Sequence, residues 1–184
     1  RMVDPEEMHR IEPNAGGNFA MYVPASGILD PMQYTIGLAE NACKNGARFS
    51  FGSRVIGIEG LDGPRQQQVL GRTEKGKVYQ IVTNRGMVCS RWVINSAGAY
   101  AVKIGQLMGT KGEYYVLDKK AGAFLKTPVY PAPNDRGGFV THATPTVDGN
   151  ILVGPDWYTT EGPEDYANQQ QSLDRLFQDG RKMF

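Results

Sequence analysis

The sequence predicts a mixed α/β (α+β) protein, and three observations predict it. Helix signals with recognisable caps stand between runs of alternating apolar residues. Two turns, Asn84-Arg85-Gly86 and Val147-Asp148-Gly149-Asn150, carry glycine where a tight hairpin demands a positive φ. Between them, Arg91-Trp92-Val93-Ile94-Asn95-Ser96-Ala97-Gly98-Ala99-Tyr100 reads as a buried strand that stops in small residues and opens a helix.

Taken in order, Asp4-Pro5-Glu6-Glu7 starts a helix with aspartate as N-cap and proline in the first turn. Residues 18–23 form a short apolar strand and residues 24–27 a turn. Asp30-Pro31 starts a second helix, on which Tyr34, Leu38 and Ala42 share one face, and Gly46 ends it. Residues 48–59 alternate as a strand, with Phe49, Phe51, Val55 and Ile58 as its apolar members, and the Gly, Pro and Gln-rich residues 61–71 read as a loop. Residues 77–83 and 87–90 make a hairpin that feeds the central strand, and a helix over 99–108 follows. The second half reads as antiparallel sheet. Its strands are 113–117 and 122–125 about a turn at 118–121, then 139–146 and 151–153 about the Asp148-Gly149 turn, beyond the Pro-rich connection 127–133. A polar helix from about Pro163 closes the chain. The organisation expected is a mixed α/β part over 18–110, an antiparallel sheet over 111–162 and a closing helix over 163–184.

Composition narrows the function classes. With 40% hydrophobic and 21% charged residues, the 184-residue chain has the balance of a globular protein with one good core. Twenty basic and 19 acidic residues leave a net charge of +1 with no run of like charge, which argues against nucleic acid or an anionic membrane as the main partner. No apolar stretch approaches the ~20 residues that cross a bilayer. Cys43 and Cys89 have no metal-ligand spacing and are expected as buried small hydrophobes, with the cytoplasm as compartment. The chain opens on Arg1 without an initiator Met and closes inside a helix, so it is expected to be an internal fragment of a longer protein.

The central strand carries the first chemical signal. Ser96, Ala97 and Gly98 have almost no side-chain bulk, and amides at a helix start point outward with partial positive charge, so a cofactor's phosphate or ring can approach the backbone. No Gly-x-Gly-x-x-Gly follows an early strand to complete a phosphate loop. Three further motifs accompany it in order: Val23-Pro24-Ala25-Ser26-Gly27-Ile28-Leu29-Asp30-Pro31, Gly112-Glu113-Tyr114-Tyr115-Val116-Leu117-Asp118, and Thr144 to Gly154-Pro155. Together they resemble the middle of an FAD-dependent oxidoreductase of the D-amino-acid oxidase-like superfamily, in the glycerol-3-phosphate dehydrogenase and L-2-hydroxyglutarate dehydrogenase branch. The resemblance covers essentially the whole chain. It implies a substrate-binding domain with an antiparallel mixed sheet plus part of an FAD-binding Rossmann-like domain.

The same resemblance supplies expectations for single residues. Asn95, Ser96, Ala97 and Gly98 correspond to a segment that passes close to FAD, and Val55, in Ser53-Arg54-Val55, to one lying against the adenine; a plain core role stands beside the latter. Lys111-Gly112-Glu113-Tyr114 resembles a Lys-Gly-Ser-His-like segment, with Tyr114 where the family brings a His to the flavin. Alternation puts Tyr114 and Val116 on one sheet face, Tyr115 and Leu117 on the other. His142 resembles the His of a His-Leu-Thr-Arg-like segment and is the candidate to take the proton of a substrate hydroxyl; a satisfied structural histidine within a strand stands beside that role. Pro145 stands where that segment has Arg, and the loss of that cation argues against 2-hydroxyglutarate as substrate. Read from the residues alone, Asp30 is a helix cap, Arg136-Gly137-Gly138 a solvated turn, His9 a surface residue, and Glu161, Glu164 and Asp165 the acidic start of the last helix. The implied parent oxidises glycerol 3-phosphate or a small 2-hydroxy acid by hydride transfer to FAD, with the electron acceptor open among a quinone, an iron–sulfur partner and oxygen and a membrane-peripheral partner among the expectations; the fragment alone is expected to be inactive. An amino-acid oxidase of the same superfamily and a non-catalytic ligand-binding module remain the alternatives.

Overall fold

The computed structural model describes residues 1–104, 109–133, 140–160 and 162–184. In chain order the elements are β1 (Met2–Val3), α1 (Pro5–Ile11), β2 (Ala20–Met21), α2 (Pro31–Lys44), β3 (Val55–Leu61), α3 (Gly63–Leu70), β4 (Val78–Thr83), β5 (Gly86–Ser90), α4 (Ala101–Ile104), β6 (Gly109–Lys111), β7 (Tyr115–Leu117), β8 (His142–Pro145), β9 (Ile151–Gly154), β10 (Tyr158–Thr160) and α5 (Gln170–Met183). Every ladder among them is antiparallel. The chain divides into two units, Arg1–Ala39 with Met108–Phe184, and Glu40–Leu107.

In the first unit the sheet runs β7-β9-β8. Two rows of cross-strand neighbours, Tyr115-Val153-Ala143 and Leu117-Ile151-Pro145, define one face. Ala143, Ile151 and Val153 on that face build a buried core with Leu125 and Met183, against which Tyr115, Ala121 and Val129 pack. Leu176 of α5 is fully buried as well. A smaller cluster, Val3, Met8 and Ala15, is fixed by α1, where the Asp4 carboxylate caps the helix by accepting from the Glu7 amide at 2.8 Å. Helix α2 is closed at both ends as the sequence indicates. Asp30 accepts from the Met32 and Gln33 amides, and the Gly46 and Ala47 amides return to the Cys43 and Ala42 carbonyls with Gly46 at φ +91°. Its apolar stripe is exposed, however, with Tyr34 57% and Leu38 52% accessible.

The second unit is the meander β3-β4-β5, whose hairpin turn forms at the expected residues. Beside it lies α3, over residues that read as a loop. Asp62 caps it by accepting from the Arg65 amide at 3.0 Å, Pro64 sits in its first turn, and Gly71 ends it at φ +70°. The buried Gln66 holds this helix to its surroundings: its amide donates to the Leu61 and Gly76 carbonyls at 3.1 and 3.0 Å and accepts from the Glu74 N–H at 2.8 Å. Gln66→Ala leaves those groups without partners and is expected to cost about 2 kcal/mol. Chemical denaturation measures it, and an unchanged midpoint would show that water replaces all three bonds.

Several expectations fail. Residues 91–97 form no strand: Trp92 and Ile94 are 85% and 88% exposed. Their backbone is engaged locally, the Ser90 hydroxyl bridging to Trp92 and the Asn95 side chain accepting from the Ala97 amide. A short 3-10 turn, Gly98–Tyr100, then leads into α4, and residues 105–108 of the expected helix lie outside the described residues. The strand expected over 48–59 begins only at Val55, and Phe49 and Phe51 stack on each other in the preceding turn. Residues 119–124 form a 3-10 helix rather than a strand, with Asp118 as its cap, and the Gly149 carbonyl lies where a Cβ on Gly122 would stand. The closing helix starts at Gln170 rather than Pro163, because the Gln169 amide is held by the Glu113 carboxylate at 3.0 Å. Glu164 and Asp165 therefore precede the helix; Glu161 lies outside the described residues. Cys43 is exposed and Cys89 half-buried, since neither α2 nor β5 buries the face that carries it. Among the described residues no helix is long and apolar enough to cross a membrane.

Candidate functional site

The site grows out of one row of the β7-β9-β8 sheet. His142 pairs with Gly154, and Tyr114 immediately precedes β7, one step beyond the Tyr115-Val153 pair. Tyr114, Gly154 and His142 thus lie side by side across three strands on the face opposite Tyr115, as alternation requires. The middle position carries no side chain. A Cβ there would stand 2.6 Å from Cδ1 of Tyr114 and 2.6 Å from the Glu113 carbonyl oxygen, and Gly154 has φ +155°. The tyrosine ring occupies the space that a residue opposite His142 would fill, and both Tyr114 and His142 line one cavity.

A cavity of about 310 Å³ opens at this row. Tyr114 and His142 form one side, Thr110, Lys111 and Gly112 of the β6 segment a second, and Pro155, Asp156 and Trp157 a third. The half-buried His142 keeps its Nδ1 3.1 Å from the Val140 carbonyl, so Nδ1 carries the proton in the neutral ring and Nε2 presents a lone pair. The Tyr130 ring stacks on the imidazole at 4.1 Å between centroids and 21° between planes. Burial, and the nearby Tyr130 hydroxyl, push the Tyr114 phenol above its ordinary pKa, so it is a hydrogen-bond donor at neutral pH.

Charge on the second side is tied up within the protein. Lys111 donates to the Asp165 carboxylate at 3.2 Å and to the Ala167 carbonyl, lies 3.7 Å from the Glu113 carboxylate, and sits over the Tyr158 ring. Desolvation works against the ammonium, but its hydrogen bonds with Tyr158 and Asp165 prevail and raise its pKa. The buried Asp156 accepts from Arg175 at 3.1 Å and from the Trp157 amide at 2.7 Å. Among the described residues no group of three or more His, Cys, Asp or Glu is placed to hold a metal ion.

The Lys111 hydrogen bond holds the Asp165 carboxyl below its ordinary range, against desolvation. Because the folded pKa is the lower one, this link contributes in full above the unfolded carboxylate value of about 4 and is lost as pH falls through the depressed value. Asp165→Asn is therefore expected to lower the thermal midpoint at neutral pH and to match the wild type in acid. Parallel melting curves across pH check this, and a pH-independent difference contradicts it.

The residues predicted to contact the cofactor lie in the second unit. Val55 opens β3 opposite Thr83 and is 38% exposed. The Asn95 side chain reaches the Ala101 carbonyl at 3.1 Å, so it ties the segment to the start of α4, and Gly98 has φ +57°. Arg136-Gly137-Gly138 falls outside the described residues. His9 is exposed on α1, its Nδ1 near the Pro5 carbonyl, and Asp30 is the α2 cap described above. Sequence reasoning missed Trp157, Asp156 and the stacking partner Tyr130. The run Asp156-Trp157-Tyr158 directly after the Gly154-Pro155 motif was the available signal for the first two.

The chain matches the family described as DAO, FAD dependent oxidoreductase, over residues 1–184. It belongs to that family. This DAO-family chain is 33% identical over 165 residues to a glycerol 3-phosphate dehydrogenase of Caloramator mitchellensis, covering 84% of itself and 31% of that protein. To the mitochondrial L-2-hydroxyglutarate dehydrogenase of Bos taurus it is 30% identical over 169 residues, covering 85% of itself and 35% of the relative. It thus spans about a third of the length of these curated relatives. Among solved structures, glycine oxidase from Bacillus cereus ATCC 14579 superposes on all of it with a TM-score of 0.69, at 19% identity and 48% of that chain. L-alpha-glycerophosphate oxidase from Mycoplasma pneumoniae, a structure with FAD bound, does so with a TM-score of 0.66, at 22% identity and 48% of that chain. These two likenesses establish the mixed α/β fold with antiparallel sheets.

Proposed function

We propose that this chain is the substrate-side portion, with a piece of the flavin-binding portion, of an FAD-dependent dehydrogenase that oxidises glycerol 3-phosphate or a small 2-hydroxy acid. The observation that carries the reading is the Tyr114-Gly154-His142 row, which sets a phenol donor and an imidazole acceptor on one cavity. Both relatives described above are dehydrogenases of hydroxy compounds by name.

The residues at 95–98 suit a flat or phosphorylated cofactor. Gly98 has no heavy atom within 4 Å of the place where a Cβ would stand, and Ser96 and Ala97 are small and exposed, so a ligand meets the backbone unobstructed. In this reading Asn95, Ser96, Ala97, Gly98 and Val55 contact FAD. FAD supplies an acceptor for the hydride that leaves the carbinol carbon. The protein's part is acid–base and positional. His142 Nε2 takes the hydroxyl proton as the C–H pair departs, leaving a ketone. Tyr114 donates to the same oxygen or to the substrate's anionic end and fixes its approach. Onward electron transfer runs to a quinone, an iron–sulfur partner or oxygen, with the enzyme cytoplasmic or peripheral to the inner membrane face.

A dye-linked assay of the full-length, FAD-loaded enzyme tests the proposal, with glycerol 3-phosphate, L-2-hydroxyglutarate and glycine offered separately. Turnover of one hydroxy compound is expected. Turnover of glycine and of neither hydroxy compound moves the enzyme to the amino-acid oxidases.

A further inference from the structure

Glu113 lies in the connection between β6 and β7, flanked by the cavity-lining residues Gly112 and Tyr114, and its own side chain is only 3% exposed. A carboxyl group taken out of water needs hydrogen-bond partners for its oxygens. Glu113 has them from three separate elements. It accepts from the Tyr158 hydroxyl of β10 at 2.8 Å and from the Gln169 amide at the head of α5 at 3.0 and 3.3 Å, and it faces the Lys111 ammonium of β6 at 3.7 Å. Its main-chain carbonyl also accepts from the Asp156 amide at 3.1 Å and touches the place where a Cβ on Gly154 would stand. Every side of the cavity is tied to this one residue: the β6 segment through Lys111, the Pro155-Asp156-Trp157 side through its carbonyl, and the Tyr114 ring through the next peptide unit.

We infer that Glu113 is a positioning residue for the reaction. Its buried carboxylate locks β6, β10, which pairs antiparallel with β6 through Tyr158 opposite Lys111, and the start of α5 together, and so sets Tyr114 across Gly154 in the row with His142. Glu113 acts through Tyr114 and touches no substrate. The inference rests on the site proposed above.

Three variants of the full-length, FAD-loaded enzyme test it: Glu113→Ala, Glu113→Gln and Tyr114→Phe. Glu113→Ala is expected to lower kcat by up to about a hundredfold with KM and bound flavin little changed, since a small displacement of a positioning group acts on the transition state. Glu113→Gln keeps an acceptor for Tyr158 or Gln169 and is expected to recover most of that loss. As a readout apart from turnover, the Gln169 amide is expected to exchange with deuterium faster in Glu113→Ala, with Glu113→Gln intermediate. If Glu113→Ala does not fold, the partial loss of kcat and the faster exchange in Glu113→Gln carry the result. Wild-type kcat in Glu113→Ala, or wild-type kcat together with wild-type Gln169 exchange in Glu113→Gln, overturns the assignment. A fall in Tyr114→Phe without one in Glu113→Ala removes the positioning role alone, whereas wild-type turnover in Tyr114→Phe removes the site on which it rests.

Discussion

Replacing His142 by Asn in the full-length, FAD-loaded enzyme is expected to lower kcat by about a hundredfold or more, the range a positioned proton acceptor contributes. Asparagine keeps a polar group near the Val140 carbonyl and beside the Tyr130 ring but has no basic nitrogen at the Nε2 position. The hydroxyl proton then has to leave to water, so the residual rate is expected to climb with pH where the wild type levels off. A pH–rate profile of the variant checks both parts. An unaltered kcat with an unaltered profile would show that the imidazole packs in the sheet and takes no proton.

The second large effect concerns the residue that makes the row possible. Gly154→Ala places a methyl group 2.6 Å from a backbone carbonyl and 2.6 Å from the Tyr114 ring, at φ +155°, where side chains are rarely tolerated. The carbonyl belongs to Glu113, which is held by its other partners, so the strain cannot relax by moving a flexible chain end. A loss of about 3 kcal/mol in unfolding free energy is expected, from overpacking and backbone strain together. Chemical denaturation of the full-length variant measures it. Gly57→Ala, on β3 with open space at the corresponding position, serves as control and is expected to behave nearly as the wild type. A Gly154→Ala protein as stable as that control would mean that the close approach of Tyr114 is not a feature of the folded chain.

What was legible in the sequence was local. Caps at Asp4, Asp30 and Gly46, and the glycine-bearing hairpins at Asn84 and Asp148, depend on neighbours within a few residues, and each forms where the residues predict it. Alternation correctly put Tyr114 on the face away from Tyr115, because the register of β7 on β9 follows from burying Tyr115 and Val153. The strand at 91–97 failed because apolarity alone specifies neither ladder partners nor what Ser90 and Asn95 will bond. Helix α3 was overlooked although Asp62-Gly63-Pro64 and Gly71 spell its start and stop; glutamine-rich composition obscured them, and Gln66 turned out to be a buried, fully bonded core residue. At the site, Tyr114 and His142 were nameable one at a time. That they share a row across Gly154, and that Tyr130 covers the imidazole, depends on pairing residues far apart in the chain, which no local pattern encodes.

The most direct test of the account is a crystal structure of the full-length enzyme with its flavin reduced and glycerol 3-phosphate or L-2-hydroxyglutarate bound. The substrate is expected in the cavity between Tyr114, His142 and Trp157, with its hydroxyl oxygen within hydrogen-bond reach of His142 Nε2. A substrate seated elsewhere, with Tyr114 and His142 touching only protein, would contradict it.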